Sequence, residues 1–141
     1  MIDTYILNTL IVAIAVLVHY EMLYRLGRVI PRLTVRHRAR VLIALCGALA
    51  AHIVEVWIFA AGYHLTLHLD GYGRLAGNFD GTFLDCVYFS FTTYTTLGIG
   101  DIQPEGDIRF LAGLEGLTGF LLITWTASFM FMEMTRYWKR Q

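Results

Sequence analysis

Three long apolar runs organise the chain, roughly Tyr5–Leu23, Val41–Leu65 and Phe110–Met134, and polar residues crowd into the segments between them. Each run is long enough to cross a bilayer as a helix, which takes about 20 residues. The first lacks a basic start and a small-residue cleavage site and leads straight into arginines, so it reads as a retained helix. Between the second and third runs the pattern changes twice. His68 to Asp80 holds the turn formers Gly71, Gly73, Gly77 and Asn78. Thr82-Phe83-Leu84-Asp85 then sets a threonine three residues before an acid, the signature of a capping box and a helix start. A helix from there to about Tyr94 is too short to span at about 1.5 Å per residue, so it must re-enter on the side it came from. Irregular backbone survives at membrane depth only where protein or a water-filled cavity surrounds it, which places the following Thr96–Gly100 segment at a protein-lined axis. The re-entrant helix aims its partially negative C-terminal end at the membrane centre, an arrangement that favours a cation there.

Composition agrees: 57% of residues are hydrophobic, and mean hydropathy is +0.56. At 141 residues the chain is one domain at most. Net charge is zero, but it is unevenly spread. Arg25, Arg28, Arg32, Arg36, Arg38 and Arg40 crowd the first connection, and Arg136, Lys139 and Arg140 follow the last run. The positive-inside rule makes both segments cytoplasmic, with the N-terminus outside and the C-terminus inside, in a plasma (inner) membrane. The opposite side then carries Asp3, Asp70, Asp80, Asp85, Asp101, Glu105 and Asp107. In so apolar a chain the basic residues read as topology signals and contacts to anionic lipid, not as a nucleic-acid surface. The linker LGRVIPRLTVRHRARV is either a helix in the headgroup layer, broken at Pro31, or a plain solvated connector. Cys46 and Cys86 have neither the spacing nor the context of a metal site or disulfide.

The decisive motif is Thr96-Leu97-Gly98-Ile99-Gly100-Asp101, preceded by a threonine-rich aromatic stretch and flanked by two spans. It resembles the filter loop of potassium channels, in which backbone carbonyls replace the hydration shell of the ion. Glycines at alternate positions suit such a loop, because they adopt the positive φ that strains other residues. Val41 to Met134 as a whole is similar to the prokaryotic two-transmembrane potassium channel family, here with an extra N-terminal helix, M0. Added to M0, which lies outside it, the resemblance implies an all-α membrane fold: M0, outer helix, re-entrant pore helix with filter, and inner helix, arranged as a homotetramer around a central pore. Its divisions would be M0 at 1–24, a basic linker at 25–40, a pore domain at 41–134 and a basic tail at 135–141. It also implies K+ held at Thr96, Leu97, Gly98 and Ile99, with Gly100 completing the filter, Asp101 at the outer mouth and Gly119 as a hinge of the inner helix. Potassium would be the permeant ion, lipid the surroundings, and no cofactor, nucleic acid or catalytic chemistry is implied.

Three positions depart from the family pattern. Ile99 stands where the family usually has tyrosine, Tyr88 and Phe89 where tryptophans are frequent, and Thr92 where some members carry glutamate. Bracing by packing of Ile99 against Phe89 then replaces a hydrogen bond, and a less rigid filter is expected. Asp101 needs a different partner.

Polar residues inside the spans are the remaining candidates, since intramembrane acids are costly and point to function by default. Glu115 is placed to hydrogen-bond behind the filter, or to gate. Glu55 and His52 lie one helical turn apart, either as a satisfied pair facing M0 or the inner helix, or as a pH sensor. Gly113, Gly116 and Gly119 recur every third residue and suit close packing on the pore helix. Besides a non-selective cation channel, a second class of function is worth weighing. His52 and His64 on one span, with His19 on another, have a separation similar to haem ligands of membrane electron-transfer subunits. A non-conducting partner of a larger channel is a third reading.

Overall fold

The computed structural model describes residues 2–69 and 71–138, so Asp70, Lys139 and Arg140 of the charge pattern lie outside the described residues, as does the side chain of Asp3. Helix α1 spans Ile2–Val29 and ends in a single 3-10 turn, Ile30–Arg32, where Pro31 removes a backbone donor. Helix α2 follows at once, over His37–Thr66. Most of the basic linker is therefore taken up by the two helices, and the break falls at Pro31. After a short antiparallel ribbon strand, β1 (Arg74–Gly77), comes helix α3 (Phe83–Tyr94), then strand β2 (Ile102–Glu105) and helix α4 (Ile108–Trp138).

Three of these helices are long and apolar enough to cross a membrane. At 1.5 Å per residue α3 reaches only about 18 Å, well short of a hydrocarbon core of about 30 Å. Its start is the capping box expected from Thr82 and Asp85: Asp85 N–H donates to Thr82 Oγ1 at 3.2 Å, and Thr82 N–H donates back to Asp85 Oδ2 at 3.1 Å. These bonds stabilise the ionised Asp85 side chain, and they lower its pKa below the ordinary aspartate value.

Small residues decide how the helices meet. A Cβ on Gly62 would sit 2.7 Å from Ile11 Cδ1, and one on Gly47 would sit 2.5 Å from Leu26 Cδ2. The pairs 11–62, 19–55 and 26–47 keep one antiparallel alignment along the full α1–α2 contact. Helix α4 runs parallel to α1, with Tyr5 edge-on to Phe110 at one end and Gly27 near Phe129 at the other. The core is built from Ala15, Ala51, Val56, Phe59, Ala60 and Tyr63, among others. Outside it the helices expose Leu10, Leu17, Leu42, Leu49, Phe120 and Phe131, a shell suited to lipid.

Strands β1 and β2 form an antiparallel ribbon that the hydropathy pattern does not announce. Arg74 pairs with Glu105, Leu75 with Pro104, Ala76 with Gln103 and Gly77 with Ile102. It ties the glycine-rich segment to the residues just after the TLGIG motif. Gly77 must lack a side chain here, since it has φ +100° and a Cβ would lie 2.2 Å from the Asp101 carbonyl oxygen.

Candidate functional site: the TLGIG segment and its supports

The segment begins where α3 stops. Thr96, Gly98 and Gly100 have φ of +57°, +56° and +85°, and the intervening Leu97 and Ile99 do not have positive φ. Backbone handedness thus alternates residue by residue. In an extended strand successive carbonyls point to opposite sides; reversing the hand at every second residue turns them toward one side. The two glycines take this at no steric cost, but Thr96 is β-branched and sits in a sparsely populated region. Such a residue stores about 1–3 kcal/mol of strain, held by its surroundings. The sequence pointed to the glycines and missed Thr96 as the third left-handed position.

The segment is anchored on one side and open on the other. Gly98 N–H donates to the Thr92 carbonyl at 3.0 Å, and Thr96 N–H to the Thr93 carbonyl at 2.9 Å. Gln103 Nε2 donates to the Gly100 carbonyl at 3.2 Å. Asp101 is held twice: its carbonyl accepts from Asn78 N–H at 2.9 Å, and its carboxylate accepts from the Tyr88 hydroxyl at 2.9 Å. That bond keeps the Tyr88 phenol protonated to higher pH than usual. Tyr88 is thus the partner that the sequence left unassigned for Asp101, while Thr92 turns inward and donates to the Phe89 carbonyl. Leu97 and Ile99 are 66% and 56% exposed. Phe89 is buried edge-on to Tyr63 at 5.0 Å, and Ile99 is outside the core cluster that contains Phe89. The expected Ile99–Phe89 packing is therefore no part of that core. A recess of about 400 Å³, bounded by Phe89, Thr92, Gly98, Gly100, Gln103 and Ala112, lies against the segment instead.

Two buried polar clusters hold α3 from behind. Glu115 of α4 accepts from the Tyr63 hydroxyl of α2 at 2.5 Å and meets the Ser90 hydroxyl of α3, so it joins three helices. Glu55 of α2 accepts from His19 Nδ1–H at 2.8 Å, from His52 Nδ1–H at 3.1 Å and from the Tyr94 hydroxyl. The His52–Glu55 pair was legible from its spacing. His19 and Tyr94 were not, because nothing in the sequence tells which distant helix a lone polar side chain meets. His64 lies away from this group, against His68 and Phe83.

Gly119 packs where α3 ends: a Cβ there would lie 2.1 Å from the Tyr94 carbonyl oxygen. Helix α4 runs unbroken through it. A Cβ on Gly116 would make ordinary contact with the Thr93 carbonyl oxygen at 3.6 Å, and one on Gly113 would meet open space. Close packing therefore explains Gly119 but not all three glycines.

A short helix feeding an irregular, hand-alternating segment between two spans is a pore-loop arrangement, and the ion channel family model matches residues 51–136. The chain belongs to the ion channel family. The match takes in the second half of α2, the ribbon, α3, the TLGIG segment and nearly all of α4, and leaves α1 outside. No curated protein and no solved structure matches the channel. It is a multi-pass membrane protein, and family membership points to passive ion transport, not to an enzyme.

Proposed function

We propose that this channel is a potassium channel of prokaryotic type, with Thr96 to Gly100 as its selectivity filter and four copies of the chain around one pore. The alternation of backbone hand at Thr96, Gly98 and Gly100 carries the reading, because it lets consecutive carbonyls address one line of dehydrated cations. K+ would occupy sites made by Thr96, Leu97, Gly98 and Ile99, with Asp101 just outside. The exposure of Leu97 and Ile99 in the single chain supports a filter completed by neighbouring copies. The arginines at the far end of α1 and start of α2 support an N-terminus and filter mouth outside, and a C-terminus in the cytoplasm.

A non-selective cation channel is the second reading. The missing tyrosine hydroxyl at Ile99 favours it, since it leaves the carbonyl ring freer to change diameter. The reversal potential of purified protein in a bilayer, with potassium on one side and sodium on the other, separates the two. A value near the potassium limit supports the first reading; a value near zero with sustained current replaces it with the second. Absence of current from the reconstituted homo-oligomer would sink both.

A further inference from the structure

The Glu55 cluster contains more than a conventional hydrogen-bonded pair. His19 and Glu55 are completely buried, and their side chains come from α1 and α2. His52 Nδ1, 3.1 Å from Glu55 Oε2, also lies 2.9 Å from the Tyr94 hydroxyl at the end of α3. We propose that His19, His52 and Glu55 form a binding site for a divalent transition metal ion of the zinc class, with the Tyr94 hydroxyl at the fourth position.

Donor chemistry is the first support. Two imidazoles and one carboxylate, with one position left over, is a set that zinc takes readily. Magnesium and calcium prefer oxygen donors throughout, so the two nitrogens select against them. Spacing is the second. One donor atom from each of the three residues can be chosen so that all lie within 4.8 Å of one another. Zinc bonds of about 2.0–2.2 Å in a tetrahedron set donors roughly 3.3 Å apart, so small side-chain shifts seat the ion where hydrogen-bond protons now lie.

The outer layer is the third support. Thr126 Oγ1 of α4 lies 3.0 Å from His52 Nε2 and 3.5 Å from His19 Nε2. With the ion bound, the Thr126 hydroxyl can accept an Nε2–H from each ring through its two lone pairs, so that both Nδ1 atoms, which donate to Glu55 without the ion, turn their lone pairs to the metal. Metal-bound histidines commonly give their second nitrogen to such an acceptor. The His52 side chain is 17% exposed while that of Glu55 is fully covered, so the ion would come in past His52. Once seated it would join α1 to α2 and, through Tyr94, to the residues that open the filter.

The test is a titration of the purified full-length oligomer with Co2+, whose visible absorption is intense in tetrahedral nitrogen–oxygen sites. It is done in a His64→Gln, His68→Gln background, because those rings meet edge-on at 4.7 Å one turn apart and offer an ordinary surface site. The expected result is about one Co2+ per chain, displaced by Zn2+, with the bands lost in Glu55→Gln and in His52→Gln. Far-UV circular dichroism and elution volume check that each variant keeps its fold. Thr126→Val leaves every ligand in place and should weaken binding about tenfold or more, which gives a second handle if a ligand variant misfolds. No visible bands in the background chain, bands that survive Glu55→Gln or His52→Gln in a folded variant, or unchanged affinity in folded Thr126→Val would overturn the proposal.

Discussion

Gly119 and Thr96 show how much depends on single backbone positions. With the Tyr94 carbonyl 2.1 Å from where a Cβ would stand, Gly119→Ala must push α4 away from the end of α3. Overpacking of this kind costs about 1–3 kcal/mol, so thermal unfolding in detergent should show a lower Tm for this variant. Gly113→Ala is the control: nothing lies within 4 Å of its Cβ, and Tm should stay within a degree or two or rise slightly. Asp85 gives a pH dependence with a definite sign. Its folded pKa is lowered by the bonds to Thr82, so its stabilisation of the α3 start is present above the ordinary aspartate range and lost as pH falls through the folded value. Acid should therefore lower Tm more in the parent than in Asp85→Asn; equal acid sensitivity of the two would refute the assignment.

At the level of elements, the long helices were legible because burial in lipid demands uninterrupted apolar runs, and α3 because its cap chemistry is local. The ribbon was illegible for the opposite reason. Strands of four residues containing Gly77 and Pro104 show no alternating pattern, and their pairing is fixed by the path of the chain through the TLGIG segment. The sequence marks helix α1 as a span without indicating its role, and the structure shows what it contacts. His19 supplies one of the donors to a completely buried carboxylate. Removing one partner of a buried pair costs about 3 kcal/mol, so His19→Leu should lower Tm clearly, and His19→Leu combined with Glu55→Leu should recover part of the loss. A double variant whose loss equals the sum of the two single losses would show that the two side chains do not act as a pair.

For the whole molecule, one chain leaves Leu97 and Ile99 in the open beside a strained threonine. Four copies facing one another would cover these residues and complete a ring of carbonyls, so light scattering in detergent should give a protein mass of four chains. A stable monomer that still conducts would contradict this. Tyr88→Phe deletes the hydrogen bond to the Asp101 carboxylate and should shift the potassium-to-sodium permeability ratio while leaving the oligomer mass unchanged.

The bond between His19 and Glu55 also constrains descent. A completely buried carboxylate that takes one of its three donors from a residue 36 positions away, in a helix outside the matched family region, is left exposed at one oxygen and short of a partner if that helix is lost, with only His52 and Tyr94 to hold it. Losing α1 would therefore weaken the case for an acid at position 55, and gaining α1 would strengthen it. The first helix and the acid at position 55 should therefore be inherited together, present in the same relatives and missing from the same relatives.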